Sequence, residues 1–157
     1  MLVTTVTIHT LVVDSPIGPL TLVSDGSALS EIRFGASPGA PSRATCPVLR
    51  TSAAQLASYF AGELRAFDLP YAPAGTPFER RVWMQVAAVP YGATRSYGEL
   101  AREHRPATSA RAIGRANGRN PLPIVVPCHR VVGASGALTG YAGGLEAKRT
   151  LLELERA

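Results

Sequence analysis

The segment Tyr71-Ala-Pro-Ala-Gly-Thr-Pro77 divides this 157-residue chain into two parts with different sequence patterns. Before it, short aliphatic runs alternate with turn residues, and after it apolar residues recur at helical spacing. Because proline and glycine at this density interrupt both helices and strands, we interpret the segment as a linker. The sequence therefore predicts two domains, residues 1–72 and 73–157, in a mixed α/β (α+β) fold.

The first part is typical of a small antiparallel sheet covered by one helix. A Ser15-Pro-Ile-Gly-Pro19 turn and an Asp25-Gly26 turn separate three runs that have strand character. Apolar residues then recur at helical spacing up to Phe60. These patterns predict strands at residues 6–13, 20–24 and 28–34, and a helix at residues 49–62.

The second part is predicted to be mainly helical. Thr76 with Glu79, and Ser96 with Glu99, have the spacing of capping boxes, which mark helix starts. Gly118 is placed to end the third helix. The predicted helices span residues 77–89, 96–104, 109–117 and 145–156. The middle two are short and joined by a tight turn, which is the pattern of a helix-turn-helix. Between the third and last helices, residues 120–132 are predicted to be a buried extended segment.

Positive charge is concentrated in one stretch of the chain. Residues 80–130 carry nine arginines and two acids, whereas the segments on either side are acidic or balanced. Such a block is expected of a nucleic-acid-binding surface, and an Arg-rich solvated face is the equally weighted alternative. Fifteen of the sixteen basic residues are arginine, so a single arginine is weak evidence for a phosphate contact.

Several classes of protein do not fit the composition. No apolar run approaches the roughly 18 residues of a membrane span, and the opening MLVTTVTIHT lacks the pattern of a secretory leader. The two cysteines, Cys46 and Cys128, do not suggest a disulfide framework. We therefore expect a cytoplasmic globular protein with no membrane partner.

Cys128 is the candidate nucleophile. His129 follows it and can accept the thiol proton, and the charge of Arg130 is expected to lower the thiol pKa. Asn120 lies just upstream and carries an amide able to orient either group. The alternative is a buried structural thiol, which is the more common role of a lone cysteine.

Glu155 is the candidate third member of a relay. It lies four and three residues beyond Leu151 and Leu152, on the predicted buried face of the last helix. A buried carboxylate is costly unless it is paired, and pairing with His129 would hold the imidazole in place. The alternative is that Glu155 extends into solvent.

The motifs around the cysteine resemble the O6-alkylguanine-DNA alkyltransferase family. The resemblance rests on Pro127-Cys-His-Arg-Val-Val132, with supporting motifs that cover nearly the whole chain. The supporting motifs are Ser15-Pro-Ile-Gly-Pro-Leu20, Arg95-Ser-Tyr-Gly98, Arg111-Ala-Ile-Gly114, Asn120-Pro121 and Gly140-Tyr-Ala-Gly-Gly144. The resemblance implies a ribonuclease-H-like amino-terminal lobe and a carboxy-terminal lobe with a winged helix-turn-helix.

It also implies single-turnover repair of duplex DNA, in which the protein binds the minor groove and rotates a damaged guanine out of the base stack. Cys128 then takes the alkyl group from O6 of that guanine. His129 would deprotonate Cys128 through a water, while Glu155 and Asn120 hold the relay. Tyr97 would assist rotation and donate a proton toward guanine N3, and the resemblance assigns the remaining contacts as well. The implied DNA contacts are Arg111, which fills the gap left by the base, Tyr97, Ala110, Gly114, Arg115 and Arg119. The implied pocket consists of Cys128, Val131, Tyr141 and Ala142.

The resemblance leaves some features open. Ala142 stands where many relatives carry a small hydroxyl residue or glycine, so a hydroxyl contact to the substrate oxygen is lost. Some relatives hold zinc, but His9, Cys46 and His104 lack ligand spacing, so we predict no metal and no cofactor. We expect a monomer that associates with the nucleoid when bound to DNA. Cooperative binding and repair of O4-alkylthymine remain open.

Two other functions are alternatives to alkyl transfer. A lesion sensor or helix-turn-helix regulator would bind DNA without chemistry, but relatives that only bind lesions replace the cysteine. A cysteine hydrolase using Cys128 and His129 would need the two side chains to converge, and neighbouring residues of an extended chain point apart. Both alternatives rank well below alkyl transfer.

Overall fold

In a computed structural model that describes residues 5–41 and 43–157, the predicted three-stranded antiparallel sheet is confirmed. Strands β1 (His9–Val13), β2 (Leu20–Ser24) and β3 (Leu29–Phe34) pair in chain order. All five residues of β2 are buried, because it is the central strand and its LTLVS sequence presents small or apolar side chains on both faces. The sheet and the helix that follows belong to a compact unit that ends at Pro73.

The first strand is shorter than predicted. Pairing begins at His9, opposite Ser24, because β2 stops there at the turn through Gly26, whose φ is +96°. Val6 and Ile8, which were predicted to lie in the strand, are 59% exposed. Residues 1–4 of the predicted first domain lie outside the described residues.

Helix α1 (Pro47–Phe60) packs on this sheet. It starts two residues earlier than predicted because Pro47 occupies the first turn, where its missing N–H has no helical partner to lose. Its buried residues recur at intervals of three or four, which places them on one stripe facing the strands. They are Leu49, Ser52, Leu56 and Tyr59.

The second compact unit, Ala74–Ala157, contains α2 (Pro77–Ala87), α3 (Tyr97–Glu103), α4 (Ala110–Gly118) and α5 (Leu145–Arg156). Both predicted capping boxes are present, at the starts of α2 and α3. Helices α3 and α4 pack together as the helix-turn-helix, and the Trp83 indole of α2 donates to the Ala116 carbonyl of α4 at 2.8 Å.

Helix α4 ends at Gly118, one residue beyond the predicted Asn117. Gly118 belongs to the last helical turn, and the cap residue is Arg119, whose φ of −95° requires no glycine. The helix instead closes with tight bonds from Arg119 N to Ala116 O and from Asn120 N to Asn117 O.

The predicted extended segment at residues 120–132 is buried, but only its last two residues form a strand. Pro121 and Pro123 have no N–H to donate to a neighbouring strand, so the chain folds on itself. Val126 N donates to Leu122 O, and Ile124 takes a left-handed φ of +75°, which is uncommon for a β-branched residue. A single 3₁₀ turn, Cys128–Arg130, follows.

A short parallel strand pair fixes this turn beside the helix-turn-helix. Strand β4 (Arg95–Ser96) directly precedes α3, and β5 (Val131–Val132) directly follows the 3₁₀ turn. The pairing therefore places Tyr97, the first residue of α3, close to the segment that carries Cys128. The helix-turn-helix is accompanied by this pair and by the loop at residues 133–144.

Candidate active site

His129, Glu155 and Arg130 form a buried cluster within the second unit. His129 Nε2 lies 2.8 Å from Glu155 Oε2, and the two side chains are 0% and 1% exposed. The Glu155 carboxylate also accepts two hydrogen bonds from Arg130, at 2.7 Å from Nε and 2.9 Å from Nη2. Glu155 lies on the buried face of α5 with Leu151 and does not extend into solvent.

Arg130 does not act on the cysteine as predicted. Its guanidinium is held by Glu155 and by the Val89 carbonyl, 2.8 Å from Nη1. The expectation that its charge lowers the Cys128 pKa is therefore wrong. In a 3₁₀ turn successive side chains project about 120° apart, so the side chain two positions after Cys128 points elsewhere.

The contact with Glu155 fixes the proton on the imidazole. A carboxylate accepts hydrogen bonds, so Nε2 carries the hydrogen and Nδ1 carries the lone pair. Nδ1 is buried and has no hydrogen-bond partner among the described residues. Burial lowers the pKa of His129 and outweighs the opposing effect of Glu155, so the ring is neutral at pH 7. A neutral imidazole with a bare nitrogen is a general base.

Cys128 is 6% exposed, and burial raises its pKa. Three neighbours counteract the burial and favour the thiolate: a hydrogen bond with the Asn120 side chain, the charge of Lys148 and a hydrogen bond with the Tyr141 side chain. The resting side chain is thus a neutral thiol in a pocket that stabilises the anion once the proton leaves.

The Asn120 amide is fixed by the backbone on both sides. Its Nδ2 donates to Val126 O at 2.8 Å, and its Oδ1 accepts from Leu122 N at 3.0 Å. These bonds brace the turns that lead into Cys128, and they hold the amide next to the sulfur.

Sequence reasoning missed Lys148. Its side chain is fully buried on α5, and Nζ donates to Val131 O at 2.7 Å and to Thr139 O at 2.9 Å. The ammonium also lies 5.9 Å from the centre of the Tyr97 ring. A signal was present, because Lys148 shares the apolar stripe with Leu151 and a lysine is almost never buried without partners.

Asn117 is a second missed residue. It is 6% exposed, and its Nδ2 donates to the Cys128 carbonyl at 3.2 Å. Cys128 and Val131 are two of the residues that the resemblance places in the substrate pocket. The Cys128 carbonyl also accepts from the Val131 backbone N–H, and the Val131 carbonyl accepts from Lys148 Nζ at 2.7 Å.

Tyr97 lies next to the loop at residues 133–144. Its hydroxyl donates to Thr139 O at 3.4 Å, a long hydrogen bond. Gly114 of α4 faces the Tyr97 ring, and a Cβ at that glycine would lie 3.7 Å from it, an ordinary contact. Tyr141 is half-buried, whereas Ala142 is exposed.

The remaining candidate DNA contacts lie on or beside α4. Ala110, Arg111 and Arg115 are exposed, and the two arginines are four residues apart on one face of the helix. Arg119 is also exposed, and its Nη1 lies 3.6 Å from Glu79 Oε2. Arg119 is thus partly engaged within the protein, whereas Arg111 and Arg115 have no acidic partner among the described side chains.

Two further observations concern the described residues as a whole. No group of three or more His, Cys, Asp or Glu side chains in residues 5–41 and 43–157 is arranged to hold a metal ion. Within the same ranges, no helix has the length and apolar character needed to cross a membrane.

Comparison with known proteins gives the same assignment for both units. Residues 8–73 match the ribonuclease-like domain of 6-O-methylguanine DNA methyltransferase, and residues 77–157 match its DNA binding domain. The methylated-DNA–protein-cysteine methyltransferase of Mycobacterium tuberculosis is 50% identical over 96% of this chain and 93% of its own. That of Methanosarcina acetivorans is 45% identical, with coverage of 90% and 94%.

Solved structures agree with these matches. The crystal structure of Mycobacterium tuberculosis OGT in complex with DNA superposes with a TM-score of 0.84 at 50% identity, over 94% of this chain and 92% of that one. The fold and site therefore define a DNA-binding protein with a ribonuclease-like amino-terminal domain. The chain belongs to the 6-O-methylguanine DNA methyltransferase family, which confirms the resemblance seen in the sequence.

Proposed function

We propose that this protein repairs duplex DNA by moving the alkyl group of an O6-alkylguanine onto Cys128, once per molecule. The observation that carries the proposal is the buried His129–Glu155 hydrogen bond of 2.8 Å next to a lone buried thiol, within a chain of this family. We propose the cytoplasm as the site of action, with DNA as the partner and no cofactor.

The reaction begins with removal of the thiol proton. His129 Nδ1 carries the lone pair and takes the proton from Cys128 through a bridging water, since the two side chains project in different directions from the 3₁₀ turn. Glu155 stabilises the imidazolium that forms and holds the ring in orientation. Asn120, Lys148 and Tyr141 stabilise the resulting thiolate.

The thiolate then attacks the alkyl carbon. A sulfur–carbon bond forms, the bond from that carbon to O6 breaks, and its electron pair moves to the guanine. Tyr97 donates a proton toward guanine N3, so that the base leaves neutral, and recovers its own proton from the imidazolium or from solvent. The product is a thioether, which these residues have no means of hydrolysing, so the molecule is consumed.

The base must leave the stack to reach Cys128, at a cost of a few kcal/mol. Arg111, in the first turn of α4, is long, exposed and cationic, and we assign it to the gap that the base leaves. Ala110, Gly114, Arg115 and Arg119 are assigned to the surrounding groove. Val131 and Cys128 offer carbonyls to the guanine amino group, and Tyr141 and Ala142 line the remainder of the pocket.

Mass spectrometry tests the proposal directly. After incubation with duplex DNA containing O6-methylguanine, the protein should gain one methyl group, located on Cys128, in a 1:1 ratio to lesions repaired. Cys128→Ser should bind the duplex and leave the lesion intact, with Cys46→Ser as the matched control. Repair in molar excess over protein, or repair by Cys128→Ser, would refute the proposal.

A second test separates extrusion from chemistry. Arg111→Ala should slow repair of the duplex by at least tenfold and leave reaction with free O6-methylguanine base unchanged, because the free base needs no extrusion. Equal losses on both substrates would contradict the role given to Arg111.

A further inference from the structure

A pocket of about 670 Å³ lies within the second unit between the start of α3, the start of α4 and the turn at residues 133–136. Neither Cys128 nor Arg111 lines it. It does include Tyr97 and Ala110, the residues that begin the two helices of the helix-turn-helix. Its volume falls in the range of pockets that hold small molecules and nucleotides.

Arg102 is the cation of this pocket. Its side chain runs back along α3 toward the helix start, over Gly98, where a Cβ would lie 3.4 Å from its Nη1. No carboxylate of the described residues lies within salt-bridge distance of the Arg102 guanidinium. The side chain is exposed, so its five donors are available to a ligand.

Glu99, the carboxylate that lines the same pocket, already has hydrogen-bond partners within the protein. Glu99 Oε2 accepts from Arg95 Nε at 2.8 Å, and Glu99 Oε1 accepts from the Ser96 backbone N–H at 3.3 Å. Arg95 also pairs with Glu103. These contacts lower the pKa of Glu99, chiefly through the Arg95 hydrogen bond, so it remains ionised but neutralised by its partners. Arg102 is thus the cation in this pocket without an acidic partner.

We infer that Arg102 binds a backbone phosphate of the lesion-bearing strand, next to the nucleotide that is rotated out. The inference rests on the proposed function, because Tyr97 is assigned there to the rotating nucleotide and lines this same pocket. A phosphodiester matches the charge of Arg102, and the fork of guanidinium donors fits two phosphate oxygens. The Ser96 hydroxyl oxygen accepts from the Glu99 N–H as the cap of α3, and its O–H remains a second donor beside Arg102.

This contact would complement that of Arg111. One residue would fill the gap in the stack, and the other would hold the displaced backbone. Because phosphate contacts position DNA without reading its sequence, Arg102 would affect duplex repair in every sequence context alike.

Salt dependence of duplex binding provides the first test. Arg102→Gln removes the charge and retains much of the length, and Arg149→Gln is the matched control, since Arg149 is exposed on α5 and does not line the pocket. The slope of log K against log salt should decrease by about one for Arg102→Gln and should not change for the control. An unchanged slope would overturn the inference.

Replacement of single phosphates locates the contact. Duplexes that carry one neutral methylphosphonate on either side of the O6-methylguanine should bind the native protein severalfold more weakly at one position. Arg102→Gln should be insensitive at that same position and normally sensitive elsewhere. If the native protein and the variant respond equally at every position, Arg102 does not contact the flanking phosphates.

Reaction with free O6-methylguanine base distinguishes a failure of the Arg102 inference from a failure of the proposed function. Arg102→Gln should be methylated by the free base at the native rate, and this result would also show that the variant is folded. A slower reaction would mean that Arg102 acts on the fold or on Cys128, contrary to the inference. If the native protein accepts no methyl group at all, the proposed function fails, while the salt slopes still decide whether Arg102 binds phosphate.

Discussion

The two units bury different kinds of side chain. In the described part of the first unit the buried polar side chains are Thr21, Ser24 and Ser52, all neutral, and each donates to a backbone carbonyl. The second unit buries ionisable groups together with an amide. These are Glu79, His104, Asn117, His129, Arg130, Lys148 and Glu155.

Burial of charge costs several kcal/mol per ion even where partners are good, and an apolar replacement is often as stable. The first unit therefore follows the rules of packing, whereas the second carries groups that packing does not explain. Five of those groups lie at Cys128 or at the His129–Glu155 pair, which indicates that the cost is tolerated there for chemistry. The other two have structural partners: Glu79 closes the capping box of α2, and His104 pairs with Gln85. Substitutions in the two units should accordingly separate stability from activity.

The largest effect is expected from Glu155→Gln. Removal of the charge leaves Arg130 buried without its counter-ion and His129 without its anchor, so we expect a loss of about 3–5 kcal/mol in unfolding free energy and a transfer rate at least about 100-fold lower. Denaturant titration and single-turnover kinetics measure the two effects. Glu153→Gln, on the exposed side of α5, is the control. A normal transfer rate would show that Glu155 only supports the fold.

Leu22→Ala should give a comparable loss of stability without a loss of chemistry. Leu22 is fully buried in the central strand, and its truncation should cost about 2–5 kcal/mol. Transfer from free O6-methylguanine should proceed at the native rate at temperatures where the variant is folded. Val12→Ala, at a half-buried position of β1, should cost less. Slower transfer by folded Leu22→Ala would break the separation of roles between the units.

Lys148→Met should have an intermediate effect, with transfer about tenfold slower, equivalent to about 1.4 kcal/mol in the barrier. The ammonium lowers the pKa of Cys128, so its removal should move the pH profile of Cys128 carbamidomethylation by iodoacetamide to higher pH. Arg149→Met should leave the profile unchanged. A native profile in Lys148→Met would show that the lysine only holds the loop through Thr139.

The smallest effect concerns stability against pH. Burial lowers the pKa of His129 and of His104 below the usual 6.5, so the unfolded chain binds more protons below pH 6.5 and the unfolding free energy should fall there. Burial raises the pKa of Cys128 above 9.0, so the unfolded chain loses a proton first above pH 9 and stability should fall again. Urea titrations of the native protein and of Cys128→Ser at a series of pH values isolate the decrease in unfolding free energy at alkaline pH. Parallel curves for the two proteins above pH 9 would contradict the raised pKa.

The sequence was sufficient for the elements whose signals are local. Strand runs bounded by turns, capping boxes and the apolar face of α5 depend on neighbouring residues, and these predictions were accurate to within a few positions. The pairing of His129 with Glu155 was also predictable, because a carboxylate on an apolar helix face needs a partner.

The remaining features depend on three-dimensional geometry. The direction of the Arg130 side chain follows from the 3₁₀ turn, and that turn forms because the prolines before it cannot donate to a neighbouring strand. The β-branched residues favour a strand and the missing N–H groups oppose it, and the sequence pattern alone does not show which effect is stronger. The role of Lys148 depends on carbonyls from two distant segments, and no sequence spacing brings Val131 and Thr139 to one ammonium.

The burial of the Cys128 sulfur has a consequence for the life of the molecule in the cell. Thiolates exposed to solvent are oxidised by peroxides and modified by soft electrophiles, whereas a sequestered thiol with a raised pKa reacts far more slowly with both. A protein spent by its first reaction must be protected from every reagent but its own substrate. Because Cys128 is only 6% exposed, its sulfur stays unreacted until a base enters the pocket.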